Sequence, residues 1–100
     1  MRKYEIMFII KPTLSEEEIT KVADSFKKTL EKFKTTVTTV DSWGQQPLAY
    51  DIKRGSEEYK SGYYFVYQIE AEDDAGIKEF ERLSRISSDM IRHLIIRKED

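Results

Sequence analysis

Gly62-Tyr63-Tyr64-Phe65-Val66-Tyr67-Gln68-Ile69 is the stretch whose reading decides the fold. Aromatic and β-branched side chains dominate it, a composition suited to a pleated, packed surface, so it reads as a strand. Tyr63, Phe65, Tyr67 and Ile69 form one alternating set; Tyr64, Val66 and Gln68 form the other. Both sets carry apolar or aromatic groups. A strand with one wet face alternates cleanly, so this one belongs in the middle of a sheet with cover on each side. The chain's own helices supply one cover. What covers the other side is the functional question.

Upstream of this strand, Lys53 to Ser61 is charged, contains Gly55, and reads as a mobile connection. Before that, Thr35 to Val40 is rich in β-branched residues, and the alternation then breaks at Trp43 and resumes in a later phase at Leu48, Tyr50 and Ile52. Gly44 and Pro47 lie between the two phases and predict a bulge or bend. Proline inside a strand places that strand at a sheet edge. Further back, Ser15 followed by Glu16, Glu17 and Glu18 is a helix start: the hydroxyl caps an orphan N–H, Glu18 reaches back to it, and the carboxylates suit the positive end of the helix dipole. Ile19, Val22, Phe26, Leu30 and Phe33 then draw one apolar stripe, which predicts a helix over residues 15–34. Residues 3–11 read as a first strand, apolar on both faces and ended by Pro12.

Downstream, Glu70 to Asp74 is an acidic turn, and Asp73 or Asp74 caps a second helix with the stripe Ile77, Phe80 and Leu83, weakened by Gly76 in its first turn. Ser84 to Asp89 loosens the chain with Ile86 as its apolar anchor, and Met90 to Lys98 is a last strand. The order β-α-β-β-α-β is the split, ferredoxin-like arrangement. Two right-handed crossovers around a central hairpin give a four-stranded antiparallel sheet of order 4-1-3-2 with both helices on one face, an α+β fold.

One hundred residues without a linker signal predict a single domain over 1–100, with charged residues at 36% and hydrophobic ones at 39% in a soluble globular balance. No apolar run approaches the ~20 residues that span a bilayer. The apolar run Ile6 to Ile10 is too short for a signal sequence, and a cytoplasmic address is the default. The chain has no cysteine and one histidine, so neither a zinc cluster nor a Ser/His/Asp arrangement can be placed, and His93 reads as a strand-packing residue. The chain has no glycine-rich phosphate loop. A non-enzyme without cofactor, metal or small-molecule substrate is expected. The central strand nearly matches the aromatic signature of RNA-recognition motifs. Yet Tyr63 and Phe65, turned toward the helices, cannot stack on bases.

Charge placement says more than the net charge of −2. In the inferred topology strands one and four are antiparallel neighbours, which sets Arg2 and Lys3 beside Arg97 and Lys98, with Arg92 at the far end. Such an edge suits a few phosphates without reading bases, or serves only to block strand addition. On the face away from the helices, Met7, Ile9, Tyr64, Val66 and part of the last strand make an apolar patch, which marks a protein-partner site or self-association, or else is covered locally by the chain itself.

Four separated stretches also carry a family resemblance. Met1-Arg2-Lys3-Tyr4-Glu5, Trp43-Gly44 with Leu48-Ala49-Tyr50-Asp51-Ile52, Gly62-Tyr63-Tyr64, and Arg85 to Arg97 resemble the bacterial small-subunit ribosomal protein six family across essentially the whole chain. The resemblance implies a ferredoxin-like fold and a place in the central domain of the small subunit, binding 16S ribosomal RNA together with ribosomal protein eighteen. It implies RNA-contacting roles for Arg2, Tyr4, Arg92 and Arg97, whereas Lys3 and Lys98 rest on charge placement alone. The family usually has two basic residues before Leu-Ala-Tyr. Here the stretch is Gln45-Gln46-Pro47, and whatever those cations contact is not carried over. The alternative reading is a self-associating or small-molecule-sensing ferredoxin-like regulatory module.

Overall fold

The computed structural model describes residues 2–98; Met1, Glu99 and Asp100 of the expected 1–100 unit lie outside the described residues. The elements run β1 (Arg2–Ile10), α1 (Glu16–Lys32), β2 (Thr35–Arg54), β3 (Glu57–Ala71), α2 (Ala75–Ile86) and β4 (Met90–Lys98). All strand pairs are antiparallel and the sheet order is β2-β3-β1-β4, the expected 4-1-3-2 read from the other edge.

The core lies between the sheet and the helices. Phe8, at the middle of β1, stacks on Phe65 at 5.3 Å and meets Tyr67, Phe80 and Phe26 at 5.0, 5.8 and 5.9 Å. The Tyr67 hydroxyl donates a buried 2.8 Å hydrogen bond to the Ala23 carbonyl, which pins α1 to the sheet, and burial pushes that phenol's pKa up.

Local chemistry sets the helix ends. The Ser15–Glu18 capping box forms as expected, and α1 stops at Lys32 because Phe33 leaves helical geometry and Lys34 turns left-handed at φ 56°. On α2 the cap comes from Asp73, whose carboxylate accepts from the Ala75 N–H at 3.0 Å. Gly76 lies so close to the α1–β2 junction that an added Cβ would come within 2.5 Å of the Thr35 hydroxyl. The first turn of α2 gives up helix propensity for that approach.

Three expectations need correction. Lys53 to Ser61 is no mobile connection: β2 and β3 pair out to Arg54↔Glu57 around a two-residue turn in which Gly55 takes φ 63°. Ile86 anchors nothing, being 68% exposed at the end of α2. Ser84 to Ile86 continues the helix instead of loosening. The element that holds this corner is Arg54. Its Nη2 donates to the carbonyls of Ser84, Arg85 and Ser87 at 2.9, 2.9 and 3.0 Å, fastening the hairpin tip to the last turn of α2.

The bulge predicted around Gly44 and Pro47 is present as two register shifts, between Ser42 and Gly44 and between Pro47 and Ile52. At the second, β2 spends four residues against one on β3, so Leu48 to Asp51 leave the ladder.

Candidate RNA and partner surfaces

Sheet parity sorts the predicted residues. Tyr4 pairs with Arg97, Lys3 with Lys98, and Arg2 with the buried Ala71. Residues directly opposite one another share a face, so Arg2, Tyr4 and Arg97 lie on the helix side while Lys3 and Lys98 lie on the open side. Tyr4 is 7% exposed and belongs to the core cluster, so its ring is committed to packing. Arg2 and Arg97 are both exposed, their guanidinium groups make no ion pair or hydrogen bond among the described residues, and they stand as diagonal neighbours at roughly 7–8 Å between backbones.

The open-side cations are in a different state. The Lys98 ammonium donates to Gln68 Oε1 at 2.6 Å and lies 3.9 Å from the Glu5 carboxylate, while Gln68 Nε2 donates to that same carboxylate at 2.7 Å. Lys3 is not free either. Arg92 stands five residues from Arg97, roughly 17 Å along β4. There its Nη1 donates to the Tyr50 hydroxyl at 2.8 Å, with the guanidinium carbon 6.0 Å from that ring's centroid. The structure therefore brings Arg2 and Arg97 together on one side, Lys3 and Lys98 together on the other, and sets Arg92 apart.

Met7, Ile9, Tyr64 and Val66 share the open face as expected: Met7 pairs with Val66 and Ile9 with Tyr64, and none of them belongs to the helix-side core. Ile9 and Val66 are nevertheless buried without a helix above them. Trp43 stacks on Tyr64 with centroids 6.2 Å apart and planes within 6°, and the Leu48–Ile52 segment curls over the sheet toward Arg92. Between them a groove of about 490 Å³ opens, lined by Met7, Ile9, Leu48, Tyr50, Tyr64 and Leu94 among others. On this side the large apolar groups most open to solvent are Trp43, Tyr50, Leu94 and Ile96. Sequence reasoning placed part of the last strand on this face but did not name Trp43 and Tyr50 as surface. They served there as phase markers and as carriers of the resemblance, although a tryptophan at a break in alternation is itself a signal that the ring lies outside the core.

His93 packs as expected. Its Nδ1 lies 2.6 Å from the Ser84 hydroxyl and its ring meets Phe80 edge-on at 5.9 Å. Burial holds its pKa below the usual imidazole value, against the pull of Glu81 and with the help of Arg85 and Arg54. Ser84 is 1% exposed, so its hydroxyl is committed to this contact. No group of three or more His, Cys, Asp or Glu residues among the described residues is placed to hold a metal ion. No helix is long and apolar enough to cross a membrane.

A split βαββαβ sheet with one helix-covered face, one open apolar face and a cationic margin defines a small ferredoxin-like protein. The comparisons narrow this class. The family profile described as Ribosomal protein S6 matches residues 3–97. The small ribosomal subunit protein bS6 of Desulforamulus reducens is 41% identical over 98 residues, 98% of each chain. The crystal structure of the 30S ribosomal protein S6 of Thermotoga maritima superposes with a TM-score of 0.87 at 32% identity, covering 97% of this chain and 87% of that one. The chain belongs to the ribosomal protein S6 family of the small ribosomal subunit.

Proposed function

We propose that the chain, acting as one folded unit, is a structural constituent of the cytoplasmic small ribosomal subunit that binds 16S ribosomal RNA together with ribosomal protein eighteen and makes or breaks no bond. The observation that carries the RNA half is the state of Arg2 and Arg97: exposed, adjacent and without a side-chain partner among the described residues, whereas Lys98 and Arg92 already have partners within the chain. A guanidinium without a carboxylate nearby meets a phosphate with its whole donor fork available. Contacts of this kind position a backbone without reading sequence. The partner half is supported by the open face, whose groove and half-exposed rings give apolar area for a second protein.

The test is the salt dependence of RNA affinity. Each phosphate contact adds roughly 0.7–0.9 to the slope of log affinity against log salt. Replacing Arg2 and Arg97 by Gln should therefore flatten the slope by about 1.5 and weaken binding, while Lys98→Ala should leave it almost unchanged. An unchanged slope in the double variant would show that these arginines hold no phosphate. Sedimentation of the isolated chain addresses the regulatory alternative, which requires a stable homodimer through the sheet.

A further inference from the structure

Charge on the open face is uneven in its availability. In register across the sheet, Asp41 pairs with Val66, Val66 with Met7, and Met7 with Leu94, so Asp41 stands on the open side at the β2 margin. It is exposed, and its carboxylate makes no ion pair or hydrogen bond among the described residues. Beside it is Trp43, with one ring face on Tyr64 and the side chain still 52% exposed, so the outer ring face meets water. From Ser42 to Tyr50 no residue is charged. Three cations of the same face are already engaged, Arg92 with Tyr50 and Lys98 with Gln68 and Glu5, while Lys3 is not free, and Lys53 and Lys60 lie away toward the hairpin tip. A free carboxylate beside an open indole, bordering an apolar groove, is complementary to a cation with a planar face.

We infer that the β2 margin of the open face is built to take an arginine from an extended segment of a protein partner. Its guanidinium lies flat on the outer face of Trp43 and turns its fork to the Asp41 carboxylate, while an apolar neighbour in the same segment enters the groove beside Met7 and Leu94. Tryptophan is the strongest aromatic acceptor for a cation, and arginine combines stacking with bidentate pairing to a carboxylate. The unpaired Asp41 repels phosphate, which directs RNA away from this margin and toward Arg2 and Arg97. This inference rests on the partner half of the proposed function and is independent of the RNA half.

Trp43 is the chain's single tryptophan, so its fluorescence reports the site directly. The experiment titrates purified ribosomal protein eighteen onto the full chain and onto Asp41→Asn, Trp43→Ala and the double variant by isothermal calorimetry, with tryptophan fluorescence as a second readout for the parent and Asp41→Asn. Asp41→Asn is isosteric at an exposed position and leaves the fold intact, which keeps the test meaningful if Trp43→Ala is unstable. The expected result is a loss of affinity of about fivefold to tenfold for Asp41→Asn and at least tenfold for Trp43→Ala. The double variant should lose less than the product of the two, because both groups hold the same side chain. RNA affinity of the isolated chain should not change. If the parent binds ribosomal protein eighteen and Asp41→Asn stays within twofold of it, the arginine site is wrong while the partner reading stands. If the parent does not bind at all, the partner reading itself fails. A homodimer dispersed by Asp41→Asn, or RNA binding lost in Trp43→Ala, would overturn the assignment by naming a second copy or a nucleobase as occupant.

Discussion

Replacing Arg54 tests what holds the hairpin tip. Its Nη2 carries two hydrogens, and three carbonyl oxygens lie within 3.0 Å of it, so the acceptors share two donors and one bond is bifurcated. Those carbonyls are the orphan acceptors of a helix C-terminus, where a cation is favoured. A hydrogen bond from a charged donor contributes ~1.5–3 kcal/mol, and the helix-end charge adds ~0.3–1 kcal/mol. Arg54 is partly exposed, and the carbonyls of Arg85 and Ser87 regain water when it is removed, so the low end of that range applies. Arg54→Met keeps the apolar stem and should cost about 2 kcal/mol, a fall of about 10 °C in Tm for a chain of this size. Arg54→Lys keeps the charge without the planar fork and should recover about half of that. Urea and thermal unfolding at pH 7.5 measure the loss, and hydrogen exchange locates it: the amides of Ser87 and of the hairpin tip should lose protection before those of β1. A Tm within about 2 °C of the parent for Arg54→Met would refute the reasoning.

Three further substitutions probe other joints. Gly76→Ala improves helix propensity yet should destabilise by ~1–2 kcal/mol in urea unfolding, because the new methyl meets Thr35 Oγ1 at 2.5 Å and Phe33 Cβ at 3.3 Å. A gain in stability would mean that the α1–β2 junction yields freely. Lys34→Gly relieves a left-handed residue at the end of α1 and should stabilise by ~0.5–1 kcal/mol, read as a shift in urea midpoint at constant m. His93 predicts a pH effect of definite sign. Burial lowers its folded pKa, so the unfolded chain takes up the proton first. The contribution to stability is complete above about 6.5 and is lost as pH falls from there toward the lower folded value. No other histidine is present, so His93→Gln should lose less stability than the parent between pH 7.5 and 5.5. Equal losses would assign the effect to carboxylates.

Much of this was legible in the residues, for identifiable reasons. Gly62 to Ile69 placed β3 at the centre of the sheet because both its parities are apolar. Ser15–Glu18 placed the start of α1 because the capping box is local chemistry. The order of the strands followed from the handedness of the crossovers. What stayed hidden depends on contacts between segments far apart in the chain. Nothing near Arg54 announces that its partners are carbonyls thirty residues away. Lys53 to Ser61 looked mobile because charge and glycine are loop signals, yet Glu57 and Glu58 pair with Arg54 and Lys53 across a tight turn. Gly76 read as a weak point in a helix because the close approach of Thr35 is tertiary. Ile86 read as an anchor on hydrophobicity alone.

The site was half legible for the same reason. Arg97 and Lys98 are consecutive and read as one basic patch, but a strand sends them to opposite faces, and their neighbours then decide their fates. Lys98 meets Gln68 and Glu5 and is neutralised, while Arg97 lies across from Tyr4, whose ring is buried and offers no carboxylate. In the proposed function the same alternation keeps two occupants apart, with phosphate at Arg2 and Arg97 on the helix side and a protein on Trp43 and Leu94 on the other. That division is only as firm as the register. A one-residue slip of β1 would turn Phe8 out of its contacts with Phe65, Tyr67, Phe80 and Phe26 while exchanging the cations between faces. The aromatic core and the separation of the two surfaces therefore depend on the same pairing, and a substitution that loosens one should blur the other.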